Sequence, residues 1–420
     1  KHPQSEPASH SYFNRAKLHQ NDGNLAETLK AMREFIAKYP DSDQLYRAYD
    51  YIQQIQIAEK QPLEAIATLE EYVTKKPEEA SAPSALLKIS NHWKKYGEEQ
   101  GPYLALDETK RTEWRKGIDN SIAAAEKIIE QFPESPEVAL ALQVLLANQK
   151  LQVKAKLTTE ADIETYFTGL AKKYEGKATT KSKIVFALAG FLSEKDMAKA
   201  VETMSTAYDP NVVYSPADLD LYGTALIEQK KYDEAQKVFD KLASDYPVPP
   251  GMDLSKAPRA VWEPQSIALY GTARILQEKG KTTEAKAKFE ELKTTYPYSL
   301  KLLEADYGIA AGLAGQKKNE EALRLLAGVS KRTDAPVQLR AKSMLLLGKV
   351  LQADGKHEEA INNYIKISTF FEGVPDIAAE GLWLGAQLQE KQASGEIPMP
   401  VTAPPAKKAA APAKPPAAKK

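Results

Sequence analysis

Two stretches decide the fold: residues 223–247, GTALIEQKKYDEAQKVFDKLASDYP, and residues 273–297, ARILQEKGKTTEAKAKFEELKTTYP. Both carry one spacing. A small residue (Gly223, Ala273) is followed twelve positions on by Ala235 or Ala285, four later by Phe239 or Phe289, and eight later by Pro247 or Pro297. Gly348, Ala360 and Tyr364 repeat the spacing without the proline, and Tyr12, Ala16, Gly23, Met32 and Pro40 stand at the same intervals near the start. A motif of fixed period outranks local signals, because each copy is one supersecondary unit that cannot bury its apolar face alone.

The spacing reads as a helical hairpin. Leu269, Ala273 and Leu276 fall on one stripe of a first helix. Ala285 and Phe289 lie one turn apart on the second. Small residues let the two backbones approach, and the large residue fills the gap beside the next hairpin. Gly280 and Gly355 fall between the helices, where a left-handed residue is needed. Pro297 stops the second helix.

Outward from these copies, Asn24 and Glu27 predict a capped helix, and Ala65, Leu69 and Pro77 mark a second hairpin. A third has its first helix near residues 84–96, a long connection over 98–111, and a second helix ending at Phe132-Pro133. Ser135-Pro136 predicts a restart, with Ser as cap and Pro at the first helical position. Residues 135–210 keep helical periodicity but lose much of the motif, with Thr159 as a cap and Ala200 and Met204 in second-helix places. Ser215-Pro216 opens the next hairpin. A second long connection spans 248–263 and holds Met252 and Trp262, which is expected to pack on a neighbouring helix. A final helix near 376–392, with Leu384, Gly385 and Leu388, caps the array. Residues 393–420 are Ala, Pro and Lys and are expected to be a disordered tail. The organisation is thus an arm (1–8), hairpins (9–134), degenerate hairpins (135–210), and hairpins with a closing helix (215–392), about nine hairpins in all.

The pattern resembles the tetratricopeptide repeat family: closely over 219–371, fairly over 12–77 and weakly over 136–210. The resemblance implies an all-α, right-handed α-solenoid whose first helices line a concave groove. The helix endings Lys38-Tyr39-Pro40-Asp41-Ser42, Gln131-Phe132-Pro133-Glu134-Ser135 and Thr295-Tyr296-Pro297-Tyr298-Ser299 are similar to those of bacterial envelope proteins of this family. That likeness implies a periplasmic or envelope location, with the cytoplasm as the alternative. Lipid anchoring is not carried over, because the chain has no cysteine to acylate.

Composition narrows the function. The 420 residues carry 57 basic and 57 acidic side chains, so no global charge draws the chain to nucleic acid. The absence of cysteine removes zinc thiolates and thiol nucleophiles and suits an oxidising compartment. No run is apolar for long enough to cross a membrane. His2, His10, His19, His92 and His357 do not pair at metal-ligand spacing. His357-Glu358 starts like a zinc-protease helix, but Ile361 stands where the second His belongs. Gly280-Lys281-Thr282 lacks the first glycine of a phosphate loop, whose place Ile275 takes. Acid pairs such as Glu290-Glu291 interleave with Lys on amphipathic faces and read as solvated surface. No catalytic residue, metal or cofactor is expected, and no small-molecule substrate.

By the family's register the groove would be lined by Lys17, Gln20, Asp220, Thr224, Tyr270, Arg274, Gln277, Lys349 and Gln352. Such a mixed polar and aromatic wall suits an extended peptide, whose amides need partners. The Lys/Asn clamp that chaperone-binding members use is absent. The expected function is a non-catalytic adaptor for a protein or peptide. The alternative is a structural envelope protein whose tail, with Lys407, Lys408, Lys414, Lys419 and Lys420, makes a weak contact with anionic polymer or membrane.

Overall fold

The computed structural model describes residues 6–21, 24–371 and 373–398. Gly23, the side chain of Gln20, and the tail beyond residue 398 lie outside the described residues. The described residues form helices, one short 3₁₀ turn and loops, with no strand among them. The chain divides into two compact units, Lys1–Gln229 and Lys230–Lys420.

The first unit holds α1 (Glu6–Asn21), α2 (Leu25–Lys38), α3 (Leu45–Ala58), α4 (Pro62–Lys75), α5 (Ala82–Glu99), α6 (Glu108–Gln131), α7 (Glu137–Lys154), α8 (Glu160–Lys173), α9 (Ala178–Leu192), α10 (Met197–Ala207) and α11 (Pro216–Glu228). The second holds α12 (Tyr232–Asp245), α13 (Arg259–Glu278), α14 (Thr282–Thr295), α15 (Leu302–Gly315), α16 (Asn319–Lys331), α17 (Val337–Ala353), α18 (His357–Phe370) and α19 (Pro375–Ala393). Within each unit a helix packs on its neighbours in sequence. Alternate helices also touch: α5 with α7, α7 with α9 and α9 with α11 in the first unit, and α13 with α15, α15 with α17 and α17 with α19 in the second. That is the contact pattern of stacked hairpins, in which each pair is shielded by the next.

Local chemistry sets the helix ends. The Asn24 side chain accepts the Glu27 N–H at 3.2 Å, and Ser215 accepts that of Asp218 at 3.2 Å with Pro216 in the first turn. Thr159 donates both its backbone N–H and its hydroxyl to the Asp162 carboxylate, each at 2.7 Å. Ser135 departs from the expectation. Pro136 itself occupies the cap position of α7, and the Ser135 hydroxyl donates to the Glu137 carboxylate at 3.0 Å instead of capping the backbone.

Gly280 and Gly355 adopt left-handed φ values of 77° and 76° between first and second helices. At the matching turns Lys60, Lys156 and Lys317 take φ of 61°, 59° and 59°, which costs a non-glycine residue backbone strain.

The crossings are as tight as the motif requires. Ala16, Ala273 and Ala360 are fully buried, and Ala285 and Phe289 nearly so. In the third hairpin Ser90 and Ser121 occupy the crossing, and the Ser90 hydroxyl donates to the Ser121 carbonyl at 2.7 Å. Beyond it Gly97 and Gly117 bring α5 and α6 into backbone contact: a Cβ on Gly117 would fall 2.6 Å from the Gly97 nitrogen.

Both long connections are shorter than the sequence suggests. Helices α5 and α6 take up both ends of 98–111, leaving residues 100–107 with a 3₁₀ turn at Tyr103–Ala105. Helix α13 begins at Arg259, so Trp262 is helical, not a loop residue. Its ring is buried and stacks on Tyr296, with centroids 6.0 Å apart and planes 16° from parallel. Pro264 deletes one hydrogen bond near the helix start, and the helix continues through it.

Candidate partner-binding face

The residues expected to line a groove lie on first helices, in two separate sets. In the first unit Lys17 sits on α1 with its ammonium 5.6 Å over the Tyr51 ring, and half-buried Asp220 and Thr224 lie one turn apart on α11. In the second unit Tyr270, Arg274 and Gln277 share α13, and Lys349 and Gln352 share α17.

Several of these side chains are engaged inside the fold. Gln277 donates its amide to the Gly308 carbonyl at 2.6 Å, fastening α13 to α15. Gln352 accepts the Tyr364 hydroxyl at 2.9 Å. Burial, and then the nearby Glu380 charge, push that hydroxyl's pKa up to about 12, so it stays a donor. Lys349 pairs with Glu380 of α19 at 2.6 Å, in the open.

What remains on this face centres on Tyr307 of α15, a residue outside the set expected from the sequence. Burial raises its pKa; Arg274 opposes the shift, while Glu278 and Glu380 reinforce it, so charges from α13 and α19 converge on one phenol. Tyr270 holds the matching register position on α13 and stands under the Lys301 ammonium at 5.3 Å. A sequence signal exists. Tyr307 precedes Ala310 by the same three positions that separate Tyr270 from Ala273.

The first unit carries a face of a different kind. A cleft of about 240 Å³ runs between α5 and α7, with Leu87, Leu140 and Val144 in its walls. A second, of about 150 Å³, lies between α7 and α9 and reaches Val213 and Asp218. Both are lined by the exposed Gln143, so the two adjoin as a trough along α7 with that side chain at their boundary. Its floor is largely apolar, and Leu140 and Val213 are exposed at its sides. Lys183 projects into it with no hydrogen bond or ion pair among the described residues. Burial raises the Asp218 carboxyl pKa against the opposing Ser215 hydrogen bonds. A trough of this sort can hold an apolar segment and leave one cation to orient it.

For catalysis and metals the yield is small. Among the described residues one group could hold a cation: Glu6, His10 and Asp43, whose ligand atoms lie within 4.8 Å of one another. His10 already gives Nε2 to Asp43 at 2.7 Å, and the group is open to water. No described helix is long and apolar enough to cross a membrane.

Comparison with known proteins agrees with the repeat pattern. Residues 10–42, 219–247 and 267–299 match the sequence profile of the tetratricopeptide repeat. No curated protein matches the chain in sequence. Among solved structures, a tetratricopeptide repeat protein from Parabacteroides merdae overlaps 90% of this chain and 98% of its own at 13% identity, with a TM-score of 0.31. A chain of the APC/C hetero-tetramer Cut9–Hcn1 overlaps 91% of this chain and 74% of its own at 12% identity, with a TM-score of 0.38. Overlaps this loose carry nothing about function. Residues 10–42, 219–247 and 267–299 are tetratricopeptide repeats, and the chain that holds them is a tetratricopeptide-repeat protein.

Proposed function

We propose that this protein is a non-catalytic scaffold that binds a protein or peptide on its first-helix faces, and that it works in a bacterial cell envelope. The observation that carries the binding site is the trough along α7, where two largely apolar clefts adjoin beside Lys183, which has no ion pair among the described residues. Stacking creates an extended surface across successive first helices, so a bound segment can lie across several of them. The Tyr270–Arg274–Tyr307 face of the second unit offers polar and aromatic contacts for the same purpose. The envelope location is supported by the absence of cysteine and by the Tyr/Phe-Pro-x-Ser helix endings.

A photo-crosslinking amino acid at position 140 or 307, compared with one at the exposed second-helix position 237, tests the site in native extract. Adducts should form from 140 or 307 and not from 237. Equal yields from all three positions would remove the assignment. Fractionation of cells expressing the full-length protein tests the location, and recovery in the cytosol alone would refute it.

A further inference from the structure

We propose a second binding site, away from the first-helix faces, that takes an amphipathic anion: an apolar ring or branched chain ending in a carboxylate. It is the cleft of about 350 Å³ enclosed by the α5–α6 connection and the C-terminal end of α7. Its volume falls in the range of small-ligand pockets.

The cleft exists because of the extra chain over residues 100–107. The matching turn between α15 and α16 needs only residues 316–318. Ordered loops that exceed the length a connection needs commonly carry function. This loop is held firmly. Tyr103 is buried against Trp114, with ring centroids 5.0 Å apart. Arg111 and Arg115 each stand 5.4 Å over the Tyr103 ring. Arg111 donates to the carbonyls of Tyr103 and Leu104, each at 3.4 Å, and Arg115 donates to the Tyr103 hydroxyl. The fixation leaves Leu104 at the mouth of the cleft, 53% accessible.

Apolar groups make most of the wall: Pro102, Leu104, Trp114, Leu151 and Ala155. The charges select the other end of the ligand. Glu98 is already paired with Lys94 at 3.2 Å. Lys154, at the rim, makes no hydrogen bond or ion pair among the described residues. With Arg115 beside Tyr103, the uncompensated charge around the cleft is positive. The helix ends of α5 and α7 oppose an anion, but with fractional charges set against the full charge of an ammonium. The site therefore favours one negative group beside Lys154 and an apolar body against Trp114 and Leu151.

Calorimetric titration of the full chain tests this with three probes: N-acetylphenylalanine, its primary amide, and a ten-residue peptide ending in a free phenylalanine carboxylate. The acid should bind. Replacing it by the amide, or making Lys154→Gln, should weaken binding about tenfold or more, the effect of losing one charge-assisted hydrogen bond. Leu104→Ala should weaken it through the apolar end, and because Leu104 is exposed the variant should fold normally. Binding of the peptide alone would identify the ligand as a chain terminus, and binding of the free acid alone would identify a small molecule; each supports the site. Equal affinity for acid and amide, no effect of Lys154→Gln, or no binding of either carboxylate at millimolar concentration would overturn it. None of these outcomes bears on crosslinking from position 140, so this site and the first-helix trough fail or stand separately.

Discussion

The ring of Phe289 on α14 fills the volume that a side chain on Gly308 of α15 would need: a Cβ on that glycine falls 2.6 Å from the ring's Cζ. The relationship recurs one hairpin earlier, where Gly271 of α13 meets the Phe239 ring of α12 at 2.4 Å. The large residues of α12 and α14 are thus each seated on a glycine of the next first helix, and the stacking at these two junctions is specified by that fit. Gly308→Ala should destabilise the protein by about 1–3 kcal/mol through overpacking. Phe289→Leu should cost a comparable amount alone, yet the double variant should be more stable than the sum of the two losses predicts. Urea denaturation of the four proteins measures the coupling. Strict additivity would mean the two residues do not share the space.

Lys60 and Lys317 hold φ of 61° and 59° at turns where Gly280 and Gly355 do the same work without strain. A left-handed non-glycine residue costs about 1–2 kcal/mol, while a new glycine adds about 0.4–1 kcal/mol of chain entropy to be lost on folding. Relief of strain therefore outweighs the added entropy loss. Lys60→Gly and Lys317→Gly should each stabilise by roughly 0.5–1 kcal/mol, and Gly280→Ala should destabilise by a similar amount. Thermal melts of the three variants should shift in those directions, and a downward shift for Lys317→Gly would show that its side chain contributes more than its backbone loses.

The residues that make the hairpins legible are those whose size is fixed by a crossing: Ala273, Ala285 and Phe289 have one permissible volume each. What stays hidden lacks such a constraint. Helix α7 (EVALALQVLLANQKLQVK) is apolar around most of its circumference, so periodicity cannot separate the face packed on α6 from the face that forms the trough. Helix α15 blurs its own register, because Gly308, Ala310, Ala311 and Gly312 are all small enough for the crossing, and Tyr307 is obscured with it. The lysines in left-handed turns give no signal at all, since nothing in their side chains reports φ. Trp262 reads as a loop residue because Pro264 follows it, yet a helix survives the loss of one hydrogen bond near its start.

In both units a serine pair fastens a first helix to the loop that follows its hairpin. Ser266 and Ser299 hydroxyls lie 2.8 Å apart, and Ser9 and Ser42 hydroxyls 3.1 Å apart, across the same sequence separation. In the second unit Ser299 also donates to the Glu263 carboxylate at 3.1 Å and accepts the Lys301 N–H at 3.0 Å. Ser299 is buried, whereas Ser42 is only half-buried. Ser299→Ala should therefore cost about 1–3 kcal/mol, because it strands buried partners, and Ser42→Ala should cost less. Equal losses in urea denaturation would contradict the role of burial.

His92 supplies a pH dependence whose sign can be worked out. Burial is the main cause that holds its imidazole below the ordinary pKa of 6.5, and the Lys88 and Lys95 charges add to it. Its Nε2 meets the Gln53 side-chain oxygen at 2.9 Å, so the ring is held in a fixed pair in the native state. The depressed value means that the unfolded chain binds the proton more readily than the folded one. Stability from this group is complete above the unfolded pKa, falls as the pH drops below about 6.5, and stops falling once the pH is below the folded value. His92→Gln removes the titration while leaving an amide to face Gln53. Between pH 7 and pH 5 the urea midpoint of the wild type should fall further than that of His92→Gln, and parallel pH profiles for the two proteins would show that this histidine titrates alike in both states.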